Sequence, residues 1–339
     1  MHFTYGDPDR STDPQRALPG ARSLVVGARS YHRSASGAPF AGAPVGSIAR
    51  YSWQDHYRPL HEALSAVASH LQAAGWRTRV LVDDNAMVDR EAARRAGLGW
   101  YGKNTLLLIP GRGSWFVLGS VVTDAPLDGP ADLVGDQCGA CTRCLAACPT
   151  GALIAPGILD ARRCLAWLLE APGWFPTAYR ASLGGRIYGC DACQEACPPN
   201  RAAERHHPSP SADPDDQPQV DLVEMLDCSD SELLERFGRW YIPRRQARYL
   251  RRNALVALGN VGDGNDARVV AALEKALFHP DPVVRGHAVW ASAELGRGDL
   301  LAPLWGAETD PEVRAELEAT RGLPQDAELP TPTHGSPPV

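Results

Sequence analysis

The spacing of its cysteines constrains this chain more than any other feature of the sequence. Four of them form the run Cys138-x2-Cys141-x2-Cys144-x3-Cys148, which Pro149 follows directly. Bacterial iron–sulfur proteins hold 4Fe-4S clusters with this spacing, and its fourth cysteine ligates the other cluster of a pair. A zinc site also needs four ligands, but this spacing with its terminal proline is not a zinc-finger layout. The run therefore predicts two 4Fe-4S clusters.

A second, incomplete run supplies the remaining ligands. Three cysteines between residues 190 and 197 repeat the spacing, but Ile187 stands where the first cysteine belongs. Cys164 lies between the two runs and is the natural replacement. The predicted ligand sets are Cys138, Cys141, Cys144 and Cys197 for one cluster, and Cys148, Cys164, Cys190 and Cys193 for the other. Cys228 is left over as an ordinary thiol.

Composition places these cysteines in a reducing compartment. The chain has 339 residues, 44% of them hydrophobic, and a net charge of -6, which argues against binding nucleic acid by bulk charge alone. The first thirty residues show neither a secretory signal nor a membrane anchor, and no later stretch reaches the roughly 18 apolar residues of a membrane span. We therefore expect a cytoplasmic protein without membrane contact, in which clustered cysteines bind metal rather than form disulfides.

The order of the predicted elements indicates an α/β region followed by a helical one. Apolar, β-branched runs predict strands at Ser23–Arg29, Thr78–Asp83, Thr105–Pro110 and Trp115–Thr123. Apolar residues at helical spacing between 60 and 71 predict a helix that Gly75 ends. The predicted regions are an α/β domain at 1–130, a ferredoxin-like domain with two clusters at 131–205, a linker rich in Pro, Asp and Ser at 206–221, a helical domain at 222–322 and a disordered tail at 323–339.

The helical region contains two segments that look alike. Tyr249–Gly259 and Val284–Gly296 each carry apolar residues on one face and end in glycine, and a further helix is predicted between them at Ala267–Phe278. Asp-Pro pairs at 281–282 and 310–311 would open successive helices. This pattern predicts a short solenoid of HEAT-like helix pairs.

A glycine-rich loop at 97–104 gives a misleading signal. It satisfies GxGxxG and differs from a Walker A loop only at Asn104. Phosphate loops run from strand to helix, whereas here a predicted helix precedes the loop and a strand follows it. We therefore predict no nucleotide site, although this density of glycine suggests that the backbone approaches something flat or bulky.

Asp83 lies at the end of a predicted strand, just before this helix and loop. A carboxyl group at a strand end can donate a proton if burial raises its pKa. The alternative is a solvated turn or a helix cap. Asp84 follows directly and would either raise the pKa of Asp83 or compete for its role.

An ordered set of motifs from about residue 19 to residue 262 resembles the epoxyqueuosine reductases, cobalamin-dependent iron–sulfur enzymes that complete the queuosine modification of tRNA. The motifs are LPGARSLVVGARSY, VDDNAMVDREAARRAGLGWYGKNT, GSWFVLGSVVTD, CGACTRCLAACPTGAL, DARRCLAW, GGRIYGCDACQEACPPN and RYLRRNALVALGN. The resemblance implies a nitroreductase-like α/β domain, a ferredoxin-like cluster domain and C-terminal HEAT-like helices. Most relatives carry an additional N-terminal helical segment, and we expect this chain to begin near the end of that segment.

The resemblance also implies a reaction. Cobalamin, recharged by the clusters from an external donor such as ferredoxin or flavodoxin, would reduce the epoxide at the anticodon wobble position to an alkene. Asp83 aligns with the proton donor of the VD(T/S) motif, although Asp84-Asn85-Ala86 replaces the residues usual after it. The implied cobalamin contacts are Arg50, Asp83, Leu107, Leu118, Ala166, Cys190 and Asp191. We expect a monomer.

A concentration of arginine gives the helical region an expected role. Six arginines fall within the fourteen residues 239–252, which contain no acid. Arginine and aromatic groups suit phosphate contact and base stacking on an unpaired RNA loop. The predicted tRNA contacts are Arg244, Arg245, Arg248, Arg251 and Arg252, interleaved with Trp240, Tyr241 and Tyr249. The alternative is a solvated helix face.

Two other functions compete with this interpretation. A cytoplasmic reductive dehalogenase-like enzyme would share cobalamin and paired clusters, although such enzymes usually carry an export signal and lack HEAT-like repeats. A non-catalytic electron-transfer protein would use its helices for a protein partner and would need no proton donor.

Overall fold

The computed structural model describes residues 7–33, 42–130, 132–207, 213 and 215–321. The strands are β1 Ser23–Ser30, β2 Val45–Ile48, β3 Thr78–Val82, β4 Trp100–Tyr101, β5 Leu107–Leu108, β6 Phe116–Thr123, β7 Leu153–Ala155, β8 Ile158–Leu159, β9 Arg186–Tyr188 and β10 Gln219–Asp221. The helices are α1 Pro8–Thr12, α2 Pro14–Ala17, α3 Tyr57–Ala73, α4 Asp89–Arg95, α5 Arg143–Ala146, α6 Leu165–Glu170, α7 Thr177–Leu183, α8 Ala192–Glu195, α9 Pro198–His206, α10 Leu222–Asp227, α11 Asp230–Arg236, α12 Arg248–Val261, α13 Ala267–Leu277, α14 Pro282–Glu294 and α15 Pro311–Thr320. Short 3-10 turns cover Arg50–Ser52, Ala161–Arg163, Pro243–Arg245 and Gly298–Leu304. The predicted tail at 323–339 lies outside the described residues.

The chain divides into two compact units. The first comprises Met1–Pro39, Ser47–Ala171 and Tyr188–Gln219, and the second comprises Phe40–Gly46, Pro172–Ile187 and Val220–Val339. The regions predicted as an α/β domain and as a cluster domain thus fall largely within one unit. Within the described ranges, no helix has the length and apolarity that crossing a bilayer would require.

The first unit is built on an antiparallel sheet in which β6 lies between β1 and β3. Successive side chains of a strand point to opposite faces, so each strand serves two layers of core. On one face, Val80, Val82, Val117 and Val121 pack with Leu60, Leu64 and Ala68 of α3. On the other face, Leu81 and Val122 pack with Ala17, Ala86, Met87 and Ala92. The strands are covered on both sides, which explains their nearly continuous apolar sequences.

A pair of glycines lets α3 approach the sheet closely. Gly27 of β1 and Gly119 of β6 are opposite each other. A Cβ atom would lie 3.0 Å from Leu64 Cδ2 at Gly27 and 2.9 Å from Leu64 Cδ1 at Gly119. The same Gly119 is paired with Val82, the last residue of β3. Asp83 therefore follows β3 directly beyond the position of the glycine pair.

The glycine-rich loop is explained by its own hairpin. β4 and β5 pair, with Trp100 opposite Leu108. Side chains at Gly99 and Gly102 would overlap the carbonyl oxygen and the Cδ1 atom of Leu108, respectively. The backbone does approach something bulky, as expected, but that group is Leu108 rather than a ligand.

Buried amide side chains fasten the cluster segment to the sheet. Asn200 Oδ1 accepts a hydrogen bond from the Ser114 backbone N–H at 2.6 Å, and Ser114 Oγ donates to Gln194 Oε1 at 3.0 Å. Tyr31 Oη donates to the same Gln194 oxygen at 3.2 Å. Because buried polar groups are costly unless paired, these bonds fix the cysteine-bearing segment relative to β1 and β6.

Part of the predicted linker at 206–221 is anchored in the first unit. The backbone N–H of Ile48 donates to Pro218 O at 2.9 Å, and that of Gln217 donates to Trp53 O at 3.1 Å. Gln54 also donates to Asp216 at 2.9 Å. This part of the segment has few apolar side chains to bury, but it forms hydrogen bonds with backbone groups of the first unit. Its amino-acid composition gives no sign of these bonds.

The second unit contains the predicted helices. The helices α12, α13, α14 and α15 coincide closely with the expected segments, and aspartate side chains cap α13, α14 and α15 through Asp266, Asp281 and Asp310. Glycine permits close packing between α12 and α14, since a Cβ atom at Gly259 would lie 2.7 Å from Trp290. The all-α solenoid-like region is therefore present as predicted.

Candidate functional site

The structure gathers the eight predicted cluster cysteines into two groups. All nine cysteines lie in the described part of the chain, and none of them forms a disulfide. Cys197 lies just before α9 and shares an apolar cluster with Cys138, Trp100 and Leu108. Burial raises the pKa of the Cys197 thiol to about 11, and the nearby thiols of Cys138, Cys144 and Cys141 raise it further. These four side chains therefore surround one site.

The other four cysteines form the second group. Burial raises the pKa of Cys193, with smaller contributions from Cys190, Cys164 and Cys148. Cys148 Sγ accepts a hydrogen bond from the backbone N–H of Ala152 at 3.2 Å. Such N–H donors stabilise a thiolate. The arrangement suits the ligand exchange expected from the sequence, in which each cysteine run contributes one ligand to the other cluster.

The two cysteine groups do not form a site for a single ion. Among the described residues, no set of three or more His, Cys, Asp or Glu side chains converges to hold one metal ion. A 4Fe-4S cluster is larger than an ion and takes four cysteine ligands, the number that each group contains. Cys228 belongs to the second unit and to neither group.

Asp83 follows β3 with a left-handed backbone, at a φ of 53°. Few non-glycine residues adopt this conformation, and those that do concentrate at functional sites. Burial raises the pKa of the Asp83 carboxyl, and the charge of Asp84 raises it further. Asp84 itself accepts a hydrogen bond from the Ala86 backbone N–H at 2.8 Å and lies 3.9 Å from Arg79. Asp84 thus closes the turn.

Several groups beside Asp83 were missed from the sequence. Burial raises the pKa of Asp89, at the start of α4, to about 7, and the charge of Asp83 adds to this effect. Burial likewise raises the pKa of Glu170 to about 7, with a smaller contribution from Asp83. Tyr51 donates a hydrogen bond to Glu170 at 3.2 Å. Burial raises the pKa of Tyr57, and the charges of Asp83, Asp89 and Glu170 make smaller contributions in the same direction. Periodicity gives no signal for such a cluster, since its members come from four elements.

The residues expected to contact cobalamin are partly brought together. The Arg50 backbone N–H donates to Asp191 at 2.7 Å, while its guanidinium pairs with Glu204 at 2.8 Å and lies over Trp115 at 4.4 Å. Asp191 is buried, and in the sequence it lies between Cys190 and Cys193. These contacts place Arg50 beside the second cysteine group.

The remaining expected contacts are apolar. Leu107 is buried in the β4–β5 hairpin, and Ala166 lies in the first turn of α6, two residues after Cys164. Leu118 precedes Gly119 on β6, and the pairing of Gly119 with Val82 therefore sets Leu118 beside Asp83.

The predicted RNA contacts at Arg251 and Arg252 are wrong. Arg251 is buried and donates to the carbonyl oxygens of Leu226 and Cys228 at 2.9 Å and 2.7 Å. Arg252 is fully buried and donates to Gly173 O at 2.7 Å. Both guanidinium groups lie within the helical packing because α12 is enclosed on nearly all sides, so they cannot reach a ligand.

The other three arginines lie nearer the surface. Arg248 pairs with Asp281 at 2.9 Å, and Arg245 donates to Gly238 O at 2.8 Å. Arg244 is exposed, and both Arg244 and Arg245 have left-handed backbones with φ values of 51° and 55°. Tyr241 is exposed beside them. Of the five arginines, Arg244 and Arg245 are exposed, and the Arg245 guanidinium donates to both Gly238 O and Leu234 O.

Three protein-family models match the chain. They are "Epoxyqueuosine reductase QueG, DUF1730" at residues 11–84, "4Fe-4S double cluster binding domain" at 137–200 and "HEAT repeats" at 242–321. An epoxyqueuosine reductase of Bacillus cereus is 35% identical over 330 residues, covering 95% of this chain and 85% of that protein. The chain belongs to the epoxyqueuosine reductase family. A family member from Xanthomonas campestris is 36% identical over 87% of this chain and 84% of its own length.

Solved structures of the family agree with this fold. An epoxyqueuosine reductase with a tRNA-Tyr epoxyqueuosine-modified stem loop superposes with a TM-score of 0.85 at 33% identity, covering 95% of this chain and 87% of that one. A Bacillus subtilis family member with its catalytic aspartate loop swung out of the active site gives a TM-score of 0.84 at 33% identity, with the same coverage. The double-cluster match includes all eight predicted ligands. The chain is thus an oxidoreductase of this family, with a 4Fe-4S binding domain and HEAT repeats.

Proposed function

We propose that this protein reduces epoxyqueuosine to queuosine at the wobble position of a tRNA anticodon, with cobalamin as cofactor, two 4Fe-4S clusters as the electron supply and Asp83 as proton donor. The observation that carries this proposal is the placement of Asp83. It combines a left-handed backbone, a side chain that is accessible from the surface and a raised pKa at the end of β3, within the unit that also contains both cysteine groups. An acid in such a position stays protonated closer to neutral pH.

The chemistry requires such an acid. An alkoxide is a poor leaving group, so opening an epoxide by reduction needs a proton at the departing oxygen. Bound cobalamin would supply a strongly reducing cobalt centre for the ring carbon. The residues of this chain would exclude water, hold the ring against Leu118 and deliver the proton from Asp83. Contacts from Arg50, Leu107, Ala166, Cys190 and Asp191 would position the cofactor in a nitroreductase-like α/β domain.

The cysteine groups support the proposed electron supply. Cys197 comes from the second cysteine run but groups with cysteines of the first, and Cys148 comes from the first run but groups with cysteines of the second. The two clusters would therefore be linked by short stretches of chain and lie close together. Close clusters pass electrons one at a time. The electrons would come from a low-potential donor such as ferredoxin or flavodoxin, and the protein would act as a cytoplasmic monomer.

Substrate binding is assigned to the second unit. Arg244, Arg245 and Arg248 would contact phosphates of the anticodon stem loop, with the exposed Tyr241 available to stack on a base. The presence of an epoxyqueuosine-modified tRNA stem loop in the structure of a relative supports tRNA as the substrate.

The test is conversion of the substrate nucleoside. Anaerobically reconstituted protein, cobalamin, a chemical reductant and epoxyqueuosine-containing tRNA are incubated, and the nucleosides are analysed by mass spectrometry. We expect queuosine from the wild type and a loss of about 10²–10⁴-fold in rate for Asp83→Asn, the range for a positioned acid. Asp84→Asn is the matched control and should retain most activity. Unchanged epoxide with fully loaded clusters would refute the proposed function.

A further inference from the structure

The proposed reaction consumes two protons, while Asp83 holds only one. Both C–O bonds of the epoxide break, a C=C bond forms, and the oxygen leaves as water. Two electrons enter through the clusters from an external low-potential donor, and two protons are taken up. Because this inference rests on the proposed function, the question is where the second proton is held.

Asp89 is a half-buried carboxyl group without an evident structural role. It is the first residue of α4, after the N-cap residue Val88, and its Oδ1 atom is buried without a hydrogen-bond partner. Glu91 of the same helix, by contrast, is bound by Arg94 at 2.8 Å and by Arg95 at 2.7 Å. A buried carboxylate oxygen without a donor is unfavourable, whereas a protonated carboxyl group tolerates the position better.

The charged neighbours of Asp89 couple it to the proposed proton donor. Asp83 and Asp84 act on it from the β3–α4 loop, and Arg90, whose guanidinium donates to Thr105 O, acts on it from α4. Tyr57 faces both Asp83 and Asp89 from α3. The net effect of burial and of Asp83 raises the pKa of Asp89 to about 7, despite Arg90. Two coupled carboxyl groups of this kind titrate as a pair and readily share one proton.

We propose that Asp89 is a proton reserve that acts through Asp83. Asp83 gives its proton to the oxygen when the epoxide opens. The proton of Asp89 then passes to the Asp83 carboxylate, which delivers it as that oxygen departs as water. Asp89 regains a proton from solvent between turnovers. Asp89 is therefore a positioning residue for the second protonation and makes no contact with substrate.

The first experiment compares Asp89→Asn with Glu91→Gln as the matched control. Single-turnover conversion is followed by nucleoside mass spectrometry across pH, and tRNA affinity is measured separately. We expect Asp89→Asn to be slower by about 10²-fold, the lower end of the contribution of a placed acid, with unchanged tRNA affinity. The part of the fall in rate that occurs near pH 7 should be absent, because the carboxyl group with a pKa of about 7 that holds the second proton is gone. Asp89→Glu should restore much of the rate. A rate and pH profile for Asp89→Asn equal to those of Glu91→Gln would overturn the proposal.

The second experiment needs no turnover and so separates this proposal from the proposed function. Infrared absorption of protonated carboxyl groups is followed while cluster-loaded protein is titrated. Because Glu170 also has a pKa of about 7, the comparison is made in Glu170→Gln protein. There we expect a group that loses its proton near pH 7, is absent when Asp89→Asn is added, and titrates at lower pH when Asp83→Asn is added. A signal that Asp83→Asn leaves unshifted would overturn the coupling, even if Asp89→Asn fails to fold.

Discussion

Replacing Gly119 with alanine should damage both the sheet and the proposed site. A Cβ atom at this position would lie 2.7 Å from Val82 Cγ2, 2.9 Å from Leu64 Cδ1 and 3.1 Å from the carbonyl oxygen of Leu81. Carbon atoms in favourable contact are about 3.5–4.0 Å apart. The overlap with Val82 thus approaches 1 Å, and the contact with a backbone oxygen means that β3 itself must move. Overpacking of this kind costs about 1–3 kcal/mol of folding free energy.

The same displacement should reach the proton donor. Val82 pairs with Gly119 and Asp83 follows it directly, so a shift of β3 moves the carboxyl group. A misplacement of about 1 Å can cost about 10²-fold in rate. We therefore expect Gly119→Ala to lower the single-turnover rate by about 10–100-fold, with unchanged iron content.

The assay is nucleoside mass spectrometry combined with thermal unfolding. Gly129→Ala is the control, because nothing lies within 4 Å of a Cβ atom there. Val82→Ala removes the closest clashing atom, so the double variant Gly119→Ala/Val82→Ala should be less impaired than the two single effects predict. The reasoning fails if Gly119→Ala matches Gly129→Ala in both rate and unfolding temperature.

Three further predictions concern other parts of the chain. Activity should fall as pH rises through the elevated pKa of Asp83, because only the protonated form donates; a rate that increases steadily with pH would contradict this assignment. Arg244→Ala should weaken tRNA binding several-fold and change stability by less than about 0.5 kcal/mol. Arg251→Ala should instead destabilise the helical unit by about 1–3 kcal/mol, since two buried carbonyl oxygens lose their donor; filter binding and thermal unfolding separate the two effects. Cys197→Ser should lower bound iron from roughly eight atoms per chain, whereas Cys228→Ser should leave it unchanged in a colorimetric iron assay.

Sequence patterns predicted the strands and helices well where their formation depends on residues that are close together in the chain. Apolar runs located β1, β3 and β6, and Asp281 and Asp310 marked helix starts because their side chains cap the first turn. The cysteine grouping was also accessible, since Ile187 leaves one ligand missing and Cys164 is available between the runs. In each case, the structural requirement can be read from the spacing of residues along the chain.

Properties set by distant packing were not predictable in this way. Arg251 and Arg252 stand in a basic segment that looks like a binding surface, yet α12 is enclosed by other helices. Asp89 resembles an ordinary acidic residue at a helix start, and only the burial of its Oδ1 atom beside Asp83 distinguishes it. Exposure and electrostatic coupling depend on what the rest of the chain brings near.

The amide bonds between the cluster segment and the sheet limit how this protein can be divided. A fragment cut near residue 131 would separate Gln194 and Asn200 from Ser114 and Tyr31. The sheet half would then expose donors that had been buried, and the cysteine half would lose the attachment that orients α8 and α9. A chimera that takes only the iron–sulfur segment from a relative should therefore fold poorly. The relative's residues at positions 31 and 114 would have to be transferred with that segment.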